Sequence, residues 1–106
     1  MTDDCLFCRI VAGEIPATVV HETDDTLAFR DIDPKAHHQD VAALAVADPA
    51  LAGRVLATCA AVAEKEGLPG DGYRVIFNVG AFGGQEVFHV HAHVVGGRPL
   101  GPMISA

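Results

Sequence analysis

The sequence predicts a single α+β domain over residues 1–106: an antiparallel sheet with one long helix and a short N-terminal helix. Three observations carry this. The length suits one domain and hardly more. A long, well-capped helical pattern begins at Asp48. Around it lie short β-branched runs, paired in sequence and separated by turn residues.

Taken in order, Cys5 to Ala12 reads as a short helix, with Leu6, Phe7 and Ile10 on one side. Gly13 and Pro16 break it. Thr18 to Glu22 reads as a strand, Asp24-Asp25 as a turn, and Thr26 to Ile32 as a second strand, the two forming a hairpin. Asp33 to Ala36 is a loop, and a weak apolar stretch runs to Ala47. Asp48 is a good N-cap, and Pro49 suits the first helical position. Leu51, Val55, Cys59 and Val62 form one apolar stripe. Gly67 ends this helix, with Pro69 beyond. Tyr73 to Val79 reads as a strand, Gly80 to Gly84 as a turn, and Val87 to Val95 as the last strand. The segment from Gly96 onward, rich in Gly and Pro, reads as irregular.

The bulk properties exclude several classes. Half the residues are hydrophobic, enough for a packed core. The net charge of −7, from 14 acidic and 7 basic side chains, argues against a nucleic acid polymer as partner. No apolar run is long enough to span a bilayer. The acidic start, Met1-Thr2-Asp3-Asp4, has no basic and apolar signal regions, so a cytoplasmic address is expected. Three cysteines do not make a disulfide framework.

The chemistry concentrates in Phe88-His89-Val90-His91-Ala92-His93-Val94-Val95. On a strand, His89, His91 and His93 share one face and Val90, Ala92 and Val94 the other. A lone His on a strand is usually structural, but packing explains three in alternation poorly. Two functions fit: metal binding, or a nucleophilic imidazole taking a phosphoryl or nucleotidyl group while its neighbours orient it and protonate the leaving group. Imidazole suits both, since it titrates near neutrality. Upstream, Asn78, Gly80, Gly83, Gly84 and Gln85 supply a glycine-rich turn and amide groups suited to an anion. They favour phosphorus chemistry. A plain turn would explain the glycines but not Asn78 and Gln85.

The run Gly83 to Val95 resembles the histidine-triad signature, His-φ-His-φ-His-φ-φ with φ apolar. Gly96-Gly97-Arg98-Pro99 extends the likeness to the Hint branch rather than the Fhit branch. Leu6 to Ile10, Glu14 to Ala17 and Leu27 to Pro34 also resemble that branch, so the likeness covers nearly the whole chain. It implies a histidine-triad-like fold and an enzyme that cleaves purine nucleoside phosphoramidates and related adenylates. It makes His91 the nucleophile, with His93 assisting the phosphate or leaving group and His89 holding His91. It places Gln85, the Val87 amide and Gly84 by the phosphate, Asn78 near ribose or phosphate, and Asp31 on the ribose hydroxyls. Leu6, Phe7, Ile10, Phe29 and Ile32 would sandwich the purine, although apolar side chains are most often plain core. Glu86 stands where some relatives carry a hydroxyl residue, and solvent exposure is the simpler reading. A purine nucleotide and a second copy of the chain are the implied partners. No cofactor is implied for catalysis. The alternatives are a dinucleoside polyphosphate hydrolase, against which Gly96-Gly97 speaks, or a non-catalytic nucleotide-binding or zinc-stabilised interaction protein.

Two further features bear on the family pattern. After Asp33-Pro34-Lys35-Ala36 the pattern continues with a Pro, a further His and an apolar strand ending in Pro-Lys. Here Ala36 runs straight into His37, so one family strand is missing after Ala36. Some members also bind structural zinc through a C-x-x-C, a later His and the first triad His. Cys5, Cys8, His37 and His89 match that pattern, a sound tetrahedral set.

Overall fold

A computed structural model describes residues 5–15, 17–28 and 31–104. The first helix, α1, spans Leu6–Val11. Cys5 caps it, its Sγ accepting the Cys8 backbone N–H at 3.3 Å, and the helix buries Phe7 and Cys8. The expected hairpin forms from β1 (His21–Glu22) and β2 (Thr26–Ala28), turning at Asp24-Asp25. β1 is shorter than expected, and β2 is buried along its described length.

Ile32 does not extend β2. It opens a separate strand, β3 (Ile32–Pro34), which pairs with β2 at Thr26↔Pro34, Leu27↔Asp33 and Ala28↔Ile32. The loop expected from Asp33 is therefore partly strand. This segment takes the middle of the sheet, and the missing length shows as a central strand of only three residues.

Asp40 caps α2 (Val41–Ala47) by accepting the Ala43 N–H at 2.9 Å. Asp48 caps α3 (Pro49–Lys65) by accepting the Leu51 N–H at 3.0 Å. The expected stripe, Leu51, Val55, Cys59 and Val62, is buried. Gly67 leaves the helix at φ +73°, a left-handed conformation that glycine adopts without a Cβ penalty.

Strands β4 (Tyr73–Phe77) and β5 (Ala92–Gly96) pair over five positions, from Tyr73↔Gly96 to Phe77↔Ala92. The sheet is antiparallel, in the order β1-β2-β3-β5-β4. Its core face, with Ala28, Ile32, Val90 and Ala92, packs on Leu44 of α2 and the α3 stripe. Thr26 meets α3 through a buried hydroxyl contact with Thr58 at 2.8 Å. Among the described residues, strand β3 meets β5 at Ile32↔Ala92 alone. Beside that thin join lies a cavity of about 760 Å³, lined by Val20, Ala28, Ile32, Val62, Leu68 and Val94 among others.

Candidate active site and metal cluster

The last strand starts at Ala92, not Val87, so only His93 of the three histidines lies within it. The alternation itself holds: Val90, Ala92 and Val94 pack in or against the core, while the Phe7 ring meets both His89 and His91, and His93 stands beside His91. The late start of the strand has its reason in the partner. With β3 so short, the segment before Ala92 has no strand to pair with, and it bonds instead through the Val90 N–H to the His38 carbonyl at 2.7 Å.

His91 and His93 do stand together, their rings edge to face with centroids 5.0 Å apart. Nδ1 of His91 lies 2.8 Å from the His89 carbonyl oxygen. A carbonyl only accepts, so Nδ1 donates and Nε2 of the neutral ring keeps its lone pair. Nδ1 of His93 lies 2.8 Å from Asp31 Oδ1. The carboxylate thus orients the second imidazole, a role the resemblance did not assign to Asp31. Phe7 packs edge-on to His91, with centroids 4.8 Å apart.

The glycine-rich turn comes next to this pair in sequence. Gln85 is buried, and its amide serves the backbone: Oε1 accepts the Gly80 N–H at 2.9 Å, and Nε2 donates to the carbonyls of Gln39 and Val87. It holds the turn closed, an arrangement different from the phosphate contact the resemblance implies. Asn78 is half-buried, with its Nδ2 near Gly84. Gly83 is required sterically, since a Cβ there would meet the Val79 carbonyl oxygen at 2.4 Å.

The apolar residues expected around a purine are dispersed. Ile10 and Ile32 line the large cavity. Leu6 lines a separate cleft of about 450 Å³ with Cys5, His37, Glu86 and Val87. Phe7 lies against the imidazoles, and Phe29 is outside the described residues. Glu86 is exposed, as the simpler reading expected.

The four zinc-pattern residues converge, with ligand atoms of Cys5, Cys8, His37 and His89 all within 4.8 Å of one another. Nδ1 of His89 lies 3.5 Å from Cys5 Sγ and 3.4 Å from Cys8 Sγ, and Nδ1 of His37 lies 3.2 Å from Cys8 Sγ. Zinc bond lengths place S and N about 3.6 Å apart along a tetrahedron edge, so the donor set fits the ion. Burial alone would raise the Cys5 thiol, but contacts from the Cys8 backbone and side chain and from His89 hold it below the ordinary value. Burial alone would likewise depress His89. Its contacts with Asp33 and the Pro34 carbonyl hold it above the ordinary imidazole value. Asp33 and the Pro34 carbonyl are site groups that sequence reasoning missed, because Asp-Pro reads as a turn.

This combination, an imidazole pair with its tautomers held and a converged cysteine–histidine cluster, defines a centre equipped for nucleophilic and acid–base chemistry beside a metal-capable site. The model of the HIT domain matches residues 12–100. The chain is 39% identical over 115 aligned positions to the purine nucleoside phosphoramidase of Escherichia coli K12, covering 99% of this chain and 97% of that one. Those positions outnumber the 106 residues here, so the relative carries residues this chain lacks. It is 38% identical over 109 positions to a 14 kDa zinc-binding protein of Brassica juncea, covering 92% and 96%. The solved structure of a HIT family hydrolase from Clostridium thermocellum superposes with a TM-score of 0.92 at 31% identity, covering 99% and 100%. The chain belongs to the histidine-triad (HIT) family. Among the described residues no helix is long and apolar enough to cross a membrane.

Proposed function

We propose that this chain is a nucleotide hydrolase that cleaves purine nucleoside phosphoramidates and related adenylates. The observation that carries the reading is the His91–His93 pair, with Nδ1 of His91 turned to the His89 carbonyl and His93 edge-on beside it. In this reading Nε2 of His91 attacks the α-phosphorus and the P–N bond breaks. His93, oriented by Asp31, delivers a proton to the departing nitrogen, which leaves as an amine. Water then attacks the nucleotidyl-imidazole, releasing a nucleoside monophosphate and restoring His91. The name of the Escherichia coli relative supports this substrate class.

The chemistry is assigned to the imidazoles, with no catalytic cofactor. Cys5, Cys8, His37 and His89 hold a structural zinc ion, a reading supported by their convergence and by the name of the Brassica juncea relative. The chain works as a homodimer in the cytoplasm, where thiols stay reduced.

The test is hydrolysis of an adenosine phosphoramidate by the wild-type chain and by His91→Ala, with nucleotide binding measured alongside. Turnover by the first only, with binding kept in both, supports the proposal. Equal turnover by both overturns the assignment of the nucleophile. No turnover by a folded wild type overturns the enzymatic reading in favour of a binding role.

A further inference from the structure

Asp33 lies in the middle of β3 with no exposed surface. Among the described residues neither of its carboxylate oxygens has a hydrogen-bond partner, and its recorded polar contact is with Nε2 of His89 at 3.3 Å. Strand pairing does not call for a carboxylate there, since position 33 stands opposite Leu27. A carboxylate removed from water without compensation is unfavourable, and folded proteins pair such groups or place them beside metals. For Asp33 the compensation runs through one imidazole.

The two nitrogens of that imidazole face opposite ways. Nδ1 looks toward the sulfurs of Cys5 and Cys8. Nε2 looks toward the Pro34 carbonyl oxygen at 2.7 Å and Asp33 Oδ2. With a carbonyl as its nearer partner, Nε2 carries the hydrogen and donates. In the neutral ring Nδ1 then holds a lone pair aimed at the cluster, the tautomer a metal ligand needs.

We propose that Asp33 is a positioning residue for the zinc centre: its carboxylate places negative charge behind the His89 ring, beside the Nε2 hydrogen that the Pro34 carbonyl accepts, and so strengthens Nδ1 as the ligating nitrogen. The inference rests on the zinc reading above. A cation drawing electron density from Nδ1 makes the Nε2 hydrogen more acidic and strengthens its attraction to the carboxylate, and by reciprocity the carboxylate makes Nδ1 a better donor. The Pro34 carbonyl already favours this tautomer, so the separate contribution of Asp33 is its charge. Asp33→Asn isolates that contribution at nearly constant volume.

The test measures zinc affinity of the full chain by competition with a chelating indicator, for wild type, Asp33→Asn and Asp33→Leu. Thermal unfolding of each metal-free protein is measured in parallel. Wild type is expected to bind zinc, and both variants to bind it about 10–100-fold more weakly, with no fall in their metal-free midpoints. Equal affinity in folded variants overturns the role of Asp33. A loss of metal-free stability that accounts for the weaker binding also overturns it, because Asp33 is then only a packing residue. A wild type that takes up no zinc removes the zinc reading itself, a different result from equal affinities. If Asp33→Leu does not fold, Asp33→Asn carries the comparison. The ring ¹⁵N shifts of His89 in zinc-loaded wild type give an independent reading: hydrogen on Nε2 is expected, and ligation through Nε2 overturns the proposal.

Discussion

Replacing Asp31 by Asn separates two roles for that carboxylate. The family resemblance places it on the ribose hydroxyls, whereas the structure places Oδ1 2.8 Å from Nδ1 of His93. Hydrogen bonds to charged groups contribute about 1.5–3 kcal/mol. Here the two side chains keep 35% and 23% of their exposure, so solvent screening reduces the figure to about 1–2 kcal/mol. If that contribution acts in the transition state, through the orientation of His93 as proton donor, Asp31→Asn slows the chemical step about 5–30-fold. The amide retains size but presents either an oxygen or an N–H to Nδ1, so the tautomer of His93 is no longer enforced. The assay is hydrolysis of an adenosine phosphoramidate in single-turnover and steady-state modes, with kcat and KM determined separately. A fall in the single-turnover rate with little change in KM is expected. A raised KM with unchanged kcat would refute the reasoning, because it marks uniform binding to the sugar.

Further expectations follow from other parts of the molecule. Leu44 has no exposed surface and sits in the core cluster. Leu44→Ala should cost about 2–5 kcal/mol by urea denaturation, and a loss under about 1 kcal/mol would show that α2 is not a working part of the core. Burial pushes the Cys59 thiol up from 9.0 to about 11. Between those values the unfolded chain has released a proton that the folded chain keeps, so stability falls as pH rises, by about 3 kcal/mol in all. Cys59→Ala, compared with wild type by urea midpoints across this range, should lose that part of the alkaline slope, and parallel slopes would count against it. Chelation of zinc, or Cys8→Ser, should lower the thermal midpoint by about 10 °C or more when zinc stood at a hundred times its Kd. An unchanged midpoint would mean that the cluster holds no ion.

The parts legible in the sequence are those whose signals are local. Asp48, Pro49 and Gly67 mark the ends of α3, and its stripe needs only the helical period. The hairpin at Asp24-Asp25 is equally local. The convergence of Cys5, Cys8, His37 and His89 is not, and it was legible only through the family resemblance, since it spans up to 84 residues. The parts that were not legible depend on partners. Alternation from Val87 to Val95 reads as one strand, yet a strand exists only where another strand accepts its hydrogen bonds. The three-residue β3 supplies one described pairing position, and the segment carrying His89 and His91 lies outside the paired ladder. Ile32-Asp33-Pro34 is too short to read as a strand, and its proline suggests a turn. Gln85 looked like a phosphate ligand by position, but closure of the turn determines where its amide goes.

The short β3 makes the sheet depend on contacts that are not strand pairing. Among the described residues there is one register pair between β3 and β5, followed by the bonds from Val90 to His38 and from His89 to Pro34. A further link is the cysteine–histidine cluster, which joins α1, the segment after β3 and the segment before β5 across separations of 29 to 84 residues. Closing such distant segments costs chain entropy, and a metal clip offsets that cost most where the loops are long. On the zinc reading, the ion therefore takes over part of the work that a full-length central strand would perform. It does so at His89, whose carbonyl holds Nδ1 of His91 at 2.8 Å. The connection runs through one residue: the ring of His89 faces the sulfurs while its carbonyl fixes the tautomer of His91. Loosening the cluster should accordingly slow hydrolysis without altering any atom of His91 or His93.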